Sequence, residues 1–139
     1  MLSRHMTIIV TGVFYFAIIF TFAFAMGIAR VLFIAPRLGA TAAVSLEIPV
    51  VLTASWFMAR RLVRDRTFTL PQLISIGAIA FALTMVSEAV LAAVIQGQSV
   101  TQWAKTLATP LGIVGLAGQV AFAIIPALQG VAKNQVRKT

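Results

Sequence analysis

Leu70–Ile95 reads LPQLISIGAIAFALTMVSEAVLAAVI, and its only ionisable residue is Glu88. A helix needs about 20 apolar residues to cross the hydrocarbon core of a bilayer. Thr7–Ala35, Leu38–Ala59 and a run from about Leu107 to Ala132 have the same character. Over the 139 residues, 60% are hydrophobic and only 10% are charged, against roughly 25% charged in a soluble domain. The expected fold class is therefore all-α, a polytopic four-transmembrane-helix bundle forming one domain over residues 1–139. The spans are expected at about 6–34, 39–59, 71–96 and 107–132. No length remains for a separate soluble catalytic domain.

The breaks between spans follow from residue chemistry. Proline lacks an N–H and cannot continue the helical ladder, so Pro36 and Gly39 predict a tight turn between the first two spans. Pro71 suits the first turn of a helix. Gln96–Lys105 is polar and holds Trp103, a residue type favoured at membrane interfaces. Thr109 and Pro110 resemble a helix start. Pro49 and Pro126 fall inside spans, where each should kink the helix or free a carbonyl.

Basic residues give the orientation. Arg4, Arg60, Arg61, Arg64, Arg66, Lys133, Arg137 and Lys138 fall on one side of a four-span arrangement; Arg37 and Lys105, with Arg30 close by, fall on the other. Cytoplasmic loops carry the Lys/Arg excess, so both termini are expected inside. Arg4 followed by an apolar run and Ala23-Phe24-Ala25 imitates a cleavable signal. The run continues to Ile34, longer than a signal's apolar region, and retention is expected.

Three charged side chains lie within or near the spans: Arg30, Glu47 and Glu88. Such residues are costly in lipid and usually pair or mark a functional pathway. Arg30 precedes Pro36 by about six residues. Glu47 follows Gly39 by about eight, Glu88 precedes Gln96 by about eight, and Gln119 lies about twelve into the fourth span. At 1.5 Å per residue these offsets amount to about 9–18 Å. Arg30, Glu47, Glu88 and Gln119 can thus share one layer in the outer half of the membrane, with Thr53, Thr84 and Ser87 nearby. Arg30 is expected to pair with Glu47 or Glu88. One carboxyl is then left over, to be protonated, to hold a cation, or to meet a positive group from a partner.

Other signals are weaker. Gly77, Ala78, Ala80 and Ala82, and Gly112, Gly115, Gly118 and Ala121, supply small residues that let membrane helices approach closely. They are expected to pack the third span on the fourth, or to face another chain. Phe14, Phe16, Phe20, Phe22 and Phe24 are spread around the first span, as lipid-facing residues would be. Arg60–Arg66 could attract anionic head groups, although a topogenic role suffices for it.

No P-loop, GxSxG or HExxH pattern occurs. There is no cysteine, and the lone histidine, His5, lies outside the spans. Two carboxylates are too few for a metal site. No catalytic, cofactor-binding or metal-ligating residues are expected, and no enzyme activity. Charge at the span ends argues for topology rather than nucleic-acid binding.

Gly27-Ile28-Ala29-Arg30-Val31-Leu32, Ala35-Pro36-Arg37-Leu38-Gly39 and Leu46-Glu47-Ile48-Pro49 resemble a group of small four-span bacterial inner-membrane proteins. Glu88 and Gly118-Gln119-Val120-Ala121-Phe122-Ala123 are similar to that group's later helices. The resemblance covers most of the chain on short motifs. It implies the architecture and the polar layer, and carries no substrate. Small multidrug exporters also have four spans, but their essential glutamate lies in the first, where this chain has Arg30.

The leading expectation is a non-enzymatic accessory subunit of a larger bacterial inner-membrane complex. Its partners would be membrane lipids and other subunits, or further copies of itself. The alternative is a small oligomeric proton- or cation-coupled transporter using Glu47 or Glu88.

Overall fold

A computed structural model describes residues 2–64 and 66–136; Asp65, Arg137 and Lys138 lie outside the described residues. The elements are α1 (Leu2–Ala29), a π-helical turn (Arg30–Ile34), α2 (Ala35–Leu38), α3 (Ala40–Arg64), α4 (Leu70–Gln96), α5 (Val100–Leu107) and α6 (Pro110–Val136). No strand occurs among the described residues. Four helical rods are long and apolar enough to cross a membrane: Ser3–Leu38, Ala40–Arg64, Leu70–Gln96 and Pro110–Val136. Only 17–22% of each rod's most apolar stretch is buried inside the protein. Phe14, Phe57 and Val86 point outward at 58–62% exposure. Lipid, not water, is the solvent that such surfaces match.

The first span starts earlier than expected, at Ser3, and the fourth ends later, at Val136; three other boundaries differ from the sequence expectation for a local reason. Pro36 does not end the first span, which runs on through α2 to Leu38. The π-helical turn accommodates the proline: the Ala35 N–H bonds the Arg30 carbonyl, five residues back. The break is Gly39 alone, at φ 83°, a left-handed backbone that glycine adopts without Cβ strain. The second span continues past Ala59 to Arg64. Ala59 and Val63 are buried one turn apart, and arginine is a good helix former. The fourth span starts at Pro110 rather than Leu107, because Leu107 closes a separate helix, α5, within the stretch read as a polar connection. Ser99 caps α5. Its hydroxyl accepts from the Gln102 N–H at 3.2 Å, and the Gln102 side chain accepts from the Ser99 N–H at 2.7 Å. This reciprocal capping box satisfies two donors that a helix start otherwise leaves bare.

Around the bundle, α1 packs on α3 and α4, and α6 packs on the same two. Consecutive helices α3 and α4 therefore occupy opposite corners. Lys133 of α6 ties the end of α3, donating to the carbonyls of Val63, Arg64 and Arg66 at 3.0–3.3 Å. A cation there also opposes the negative end of the α3 dipole.

The densest packing lies in the half nearer the arginine-rich end. Tyr15, Ile19, Ala59, Ala80, Phe122 and Ile125 form one cluster; Val63, Leu73 and Ile76 form a second. Gly77 is buried where α4 meets α6, and a Cβ there would overlap the Ala123 carbonyl. Ala78 and Ala82 share the outward face of α4 and are exposed, so they take no part in that contact. Pro126 explains a further bond. It has no N–H to offer the Phe122 carbonyl four residues earlier, and Tyr15 donates its hydroxyl to that carbonyl at 2.9 Å. The Tyr15 and Phe122 rings stack with centroids 4.6 Å apart.

Candidate functional site

At the opposite end, near Gly39 and α5, the four rods line a cavity of about 780 Å³. Arg30, Glu47, Glu88 and Gln119 all line it, one from each rod. Ile19, Val51, Thr84 and Phe122 are among the residues toward the packed half; Gln96, Gln98, Trp103 and Thr106 lie toward α5. The remaining lining is largely aliphatic and aromatic. Pockets of about 300–1,000 Å³, mostly apolar with a few polar groups, are typical of small-molecule sites.

The polar groups divide into two pairs. Arg30 Nε lies 2.9 Å from Glu47 Oε2, with the side chains 29% and 12% exposed. No directed hydrogen bond satisfies this buried Nε–H, so the contact is held by charge. Arg30 is the first residue of the π-helical turn, a feature that re-aims side chains and is frequent at functional sites. Gly27, one turn earlier, adjoins the pair: a Cβ there would sit 3.7 Å from Arg30 Nη2 and 4.0 Å from Glu47 Oε1. In the second pair, the Gln119 side-chain amide donates to Glu88 Oε1. The Gln119 oxygen is buried with no donor, and such an orphan acceptor costs about 1–3 kcal/mol.

The ledger of charge follows. Arg30 and Glu47 neutralise one another. Glu88 has a neutral amide for its partner, and the amide's own oxygen is a second acceptor without a donor. The cavity thus holds one surplus carboxyl, suited to a hydrogen-bond donor or a cation, with a buried orphan acceptor beside it.

Of the hydroxyls expected nearby, only Thr84 lines the cavity, and it donates to the Ala80 carbonyl at 2.9 Å. Thr53 donates to the Pro49 carbonyl at 2.7 Å and lies off the cavity, as does Ser87. Phe20 and Phe24 line it, whereas Phe14 and Phe22 are exposed on the outside. The glycines of α6 do not act together. Gly112 packs under the α5 carboxyl end, Gly118 faces Ile48 of α3, and Gly115 lines the cavity with nothing within 4 Å of a would-be Cβ. Sequence reasoning missed Thr106 and Trp103 as lining residues; the Ser99-x-x-Gln102 capping pattern was the available signal for α5. Among the described residues no group of three or more potential metal ligands forms.

No protein-family model, curated protein or solved structure matches this chain.

Proposed function

We propose that the protein is a small membrane transporter whose working group is Glu88, which takes up a proton or a monovalent organic cation within the cavity. One observation supports this above the others: the carboxyl left over after Arg30 pairs with Glu47 lies in that cavity beside an acceptor without a donor. An intramembrane carboxyl without a counter-charge is a common site for proton or cation coupling. The membrane is the bacterial inner membrane, with Arg4, Arg60, Arg61, Arg64, Arg66 and Lys133 on the cytoplasmic side and the cavity in the outer half. Reporter fusions test that orientation. Fusions at His5 and Thr139 are expected to report a cytoplasmic location and one at Ser99 an external one.

The functional test is flux through the purified full chain in liposomes, with a pH-sensitive dye for protons and tetraphenylphosphonium for an organic cation. Wild type is expected to move one of them, and Glu88→Gln to abolish the flux while keeping a folded bundle. Absence of both fluxes from wild type overturns the transporter reading.

A second reading is an accessory subunit of a larger membrane assembly. Ala78 and Ala82 favour it, because small residues four apart on an exposed face suit a helix from another chain. Co-purification of one defined membrane protein in mild detergent, lost on Ala78→Leu, is the outcome expected from that reading.

A further inference from the structure

A second crevice, of about 390 Å³, opens between α3 and α6 at the arginine-rich end. On α3 it is lined by Trp56, Arg60 and Arg64, spaced by four so that they share one helix face, together with Val63. On α6 it is lined by Gln129, Ala132, Lys133 and Val136, again one face. We propose that this crevice binds the phosphate of one anionic phospholipid, of the phosphatidylglycerol type, with Arg60 as its principal ligand.

Arg60 is exposed, and among the described residues it has no hydrogen-bond or ion-pair partner. A guanidinium with five N–H donors is well matched to a phosphate. Lys133 stands across the crevice. Its three carbonyl contacts hold the ammonium in place, and the helix end it caps supplies only about half a negative charge. The field in the crevice therefore stays positive. Arg60 and Arg64 are like charges four apart on one helix, an arrangement that is unfavourable without a counterion. Arg64 has a contact of its own, and the proposal rests on Arg60 and Lys133.

Position selects a lipid over a free anion. The crevice lies between two spanning helices at their ends, where a head group sits. Trp56, 38% exposed, gives the crevice an amphipathic ring of the kind that settles at the interface. Basic pockets between transmembrane helices at this level recognise anionic head groups. The site is remote from Glu88 and independent of the transport reading.

The chain has two tryptophans, Trp56 and Trp103, so Trp103→Phe leaves Trp56 as the sole reporter. Its fluorescence is measured in bilayers with increasing brominated phosphatidylglycerol or brominated phosphatidylcholine. Quenching by the anionic lipid is expected at about fivefold lower mole fraction, the preference one basic residue near the surface supplies. Adding Arg60→Gln should erase that preference; Arg60→Lys should retain most of it. Arg61→Gln, an equal charge loss on an exposed residue outside the crevice, should leave it intact. Equal quenching by the two lipids overturns the proposal. So does a loss at Arg61 equal to that at Arg60, which would mean diffuse attraction. Relief of quenching by millimolar inorganic phosphate would mark a site for a free anion and overturn the lipid assignment.

Discussion

The two halves of this bundle use the same residue types to opposite ends. In the arginine-rich half, Gly77 lets α4 and α6 touch, with no room for a Cβ against Ala123; in the other half, Gly115 faces nothing and enlarges a cavity. In the first half the proline in α6 frees a carbonyl that Tyr15 satisfies at once. In the second, the proline in the first rod is absorbed by a π-helical turn that presents Arg30 to Glu47. The arginine-rich half has a filled core in which Tyr15 pairs the freed carbonyl, and its open crevice is confined to the rim. The other keeps a surplus carboxyl at an open cavity, next to a buried acceptor with no donor. Closed packing and the open polar cavity are thus separated along the bundle, and substitutions should separate their effects as well.

The strongest way to break this contrast is to exchange the glycines. Gly77→Leu is expected to cost more than about 3 kcal/mol, beyond the usual 1–3 for overpacking, because a carbonyl on a packed helix cannot move aside cheaply. Gly115→Leu should change stability by less than about 0.5 kcal/mol, since the site is open, while reducing cation binding. Thermal unfolding in detergent measures both. Equal losses would mean the halves are not mechanically distinct.

Next comes the ion pair. Glu47→Gln alone strands Arg30, and buried pairs lose about 3–5 kcal/mol in this way. Exposure of the arginine to the cavity lowers the expectation to about 2–3. Arg30→Gln combined with Glu47→Gln should cost less than the single change. A double variant worse than the sum of the two singles would show that the pair does more than neutralise itself.

Tyr15→Phe sharpens the picture of the closed half. It removes one hydrogen bond and leaves the Phe122 carbonyl with no donor from Pro126, for an expected loss of about 1–3 kcal/mol. Pro126→Ala in the same background restores an N–H and should recover most of that loss. Failure to recover would mean that ring stacking, not the carbonyl, sets the cost.

An effect on stability as small as that at Gly115 is expected at Glu88. Glu88→Gln keeps the shape of the side chain and a group able to meet Gln119, so unfolding should shift by less than about 0.5 kcal/mol. Flux is expected to vanish. A large destabilisation would reassign Glu88 to the framework.

The sequence by itself determined the four spans, the basic end and the depth of the polar layer. Apolar length and the 1.5 Å rise per residue are local properties of a helix. Arg30, Glu47 and Glu88 could be set near one level from their distances to Pro36, Gly39 and Gln96, and Gln119 from its distance into the fourth span. Even the freed carbonyl at Phe122 was implicit in Pro126. Azimuth and neighbour choice were decided only by the tertiary structure. Nothing in the chain announces that α3 and α4 take opposite corners. Nor does it announce that Arg30 meets Glu47 while Gln119 takes Glu88, or that Tyr15 is the donor for Phe122. A π-helical turn adds a residue to one turn and rotates everything beyond it, and rise along the axis is blind to that rotation. The cavity has the same origin: whether a glycine closes an interface or opens a space depends on what stands opposite, and that is set by packing.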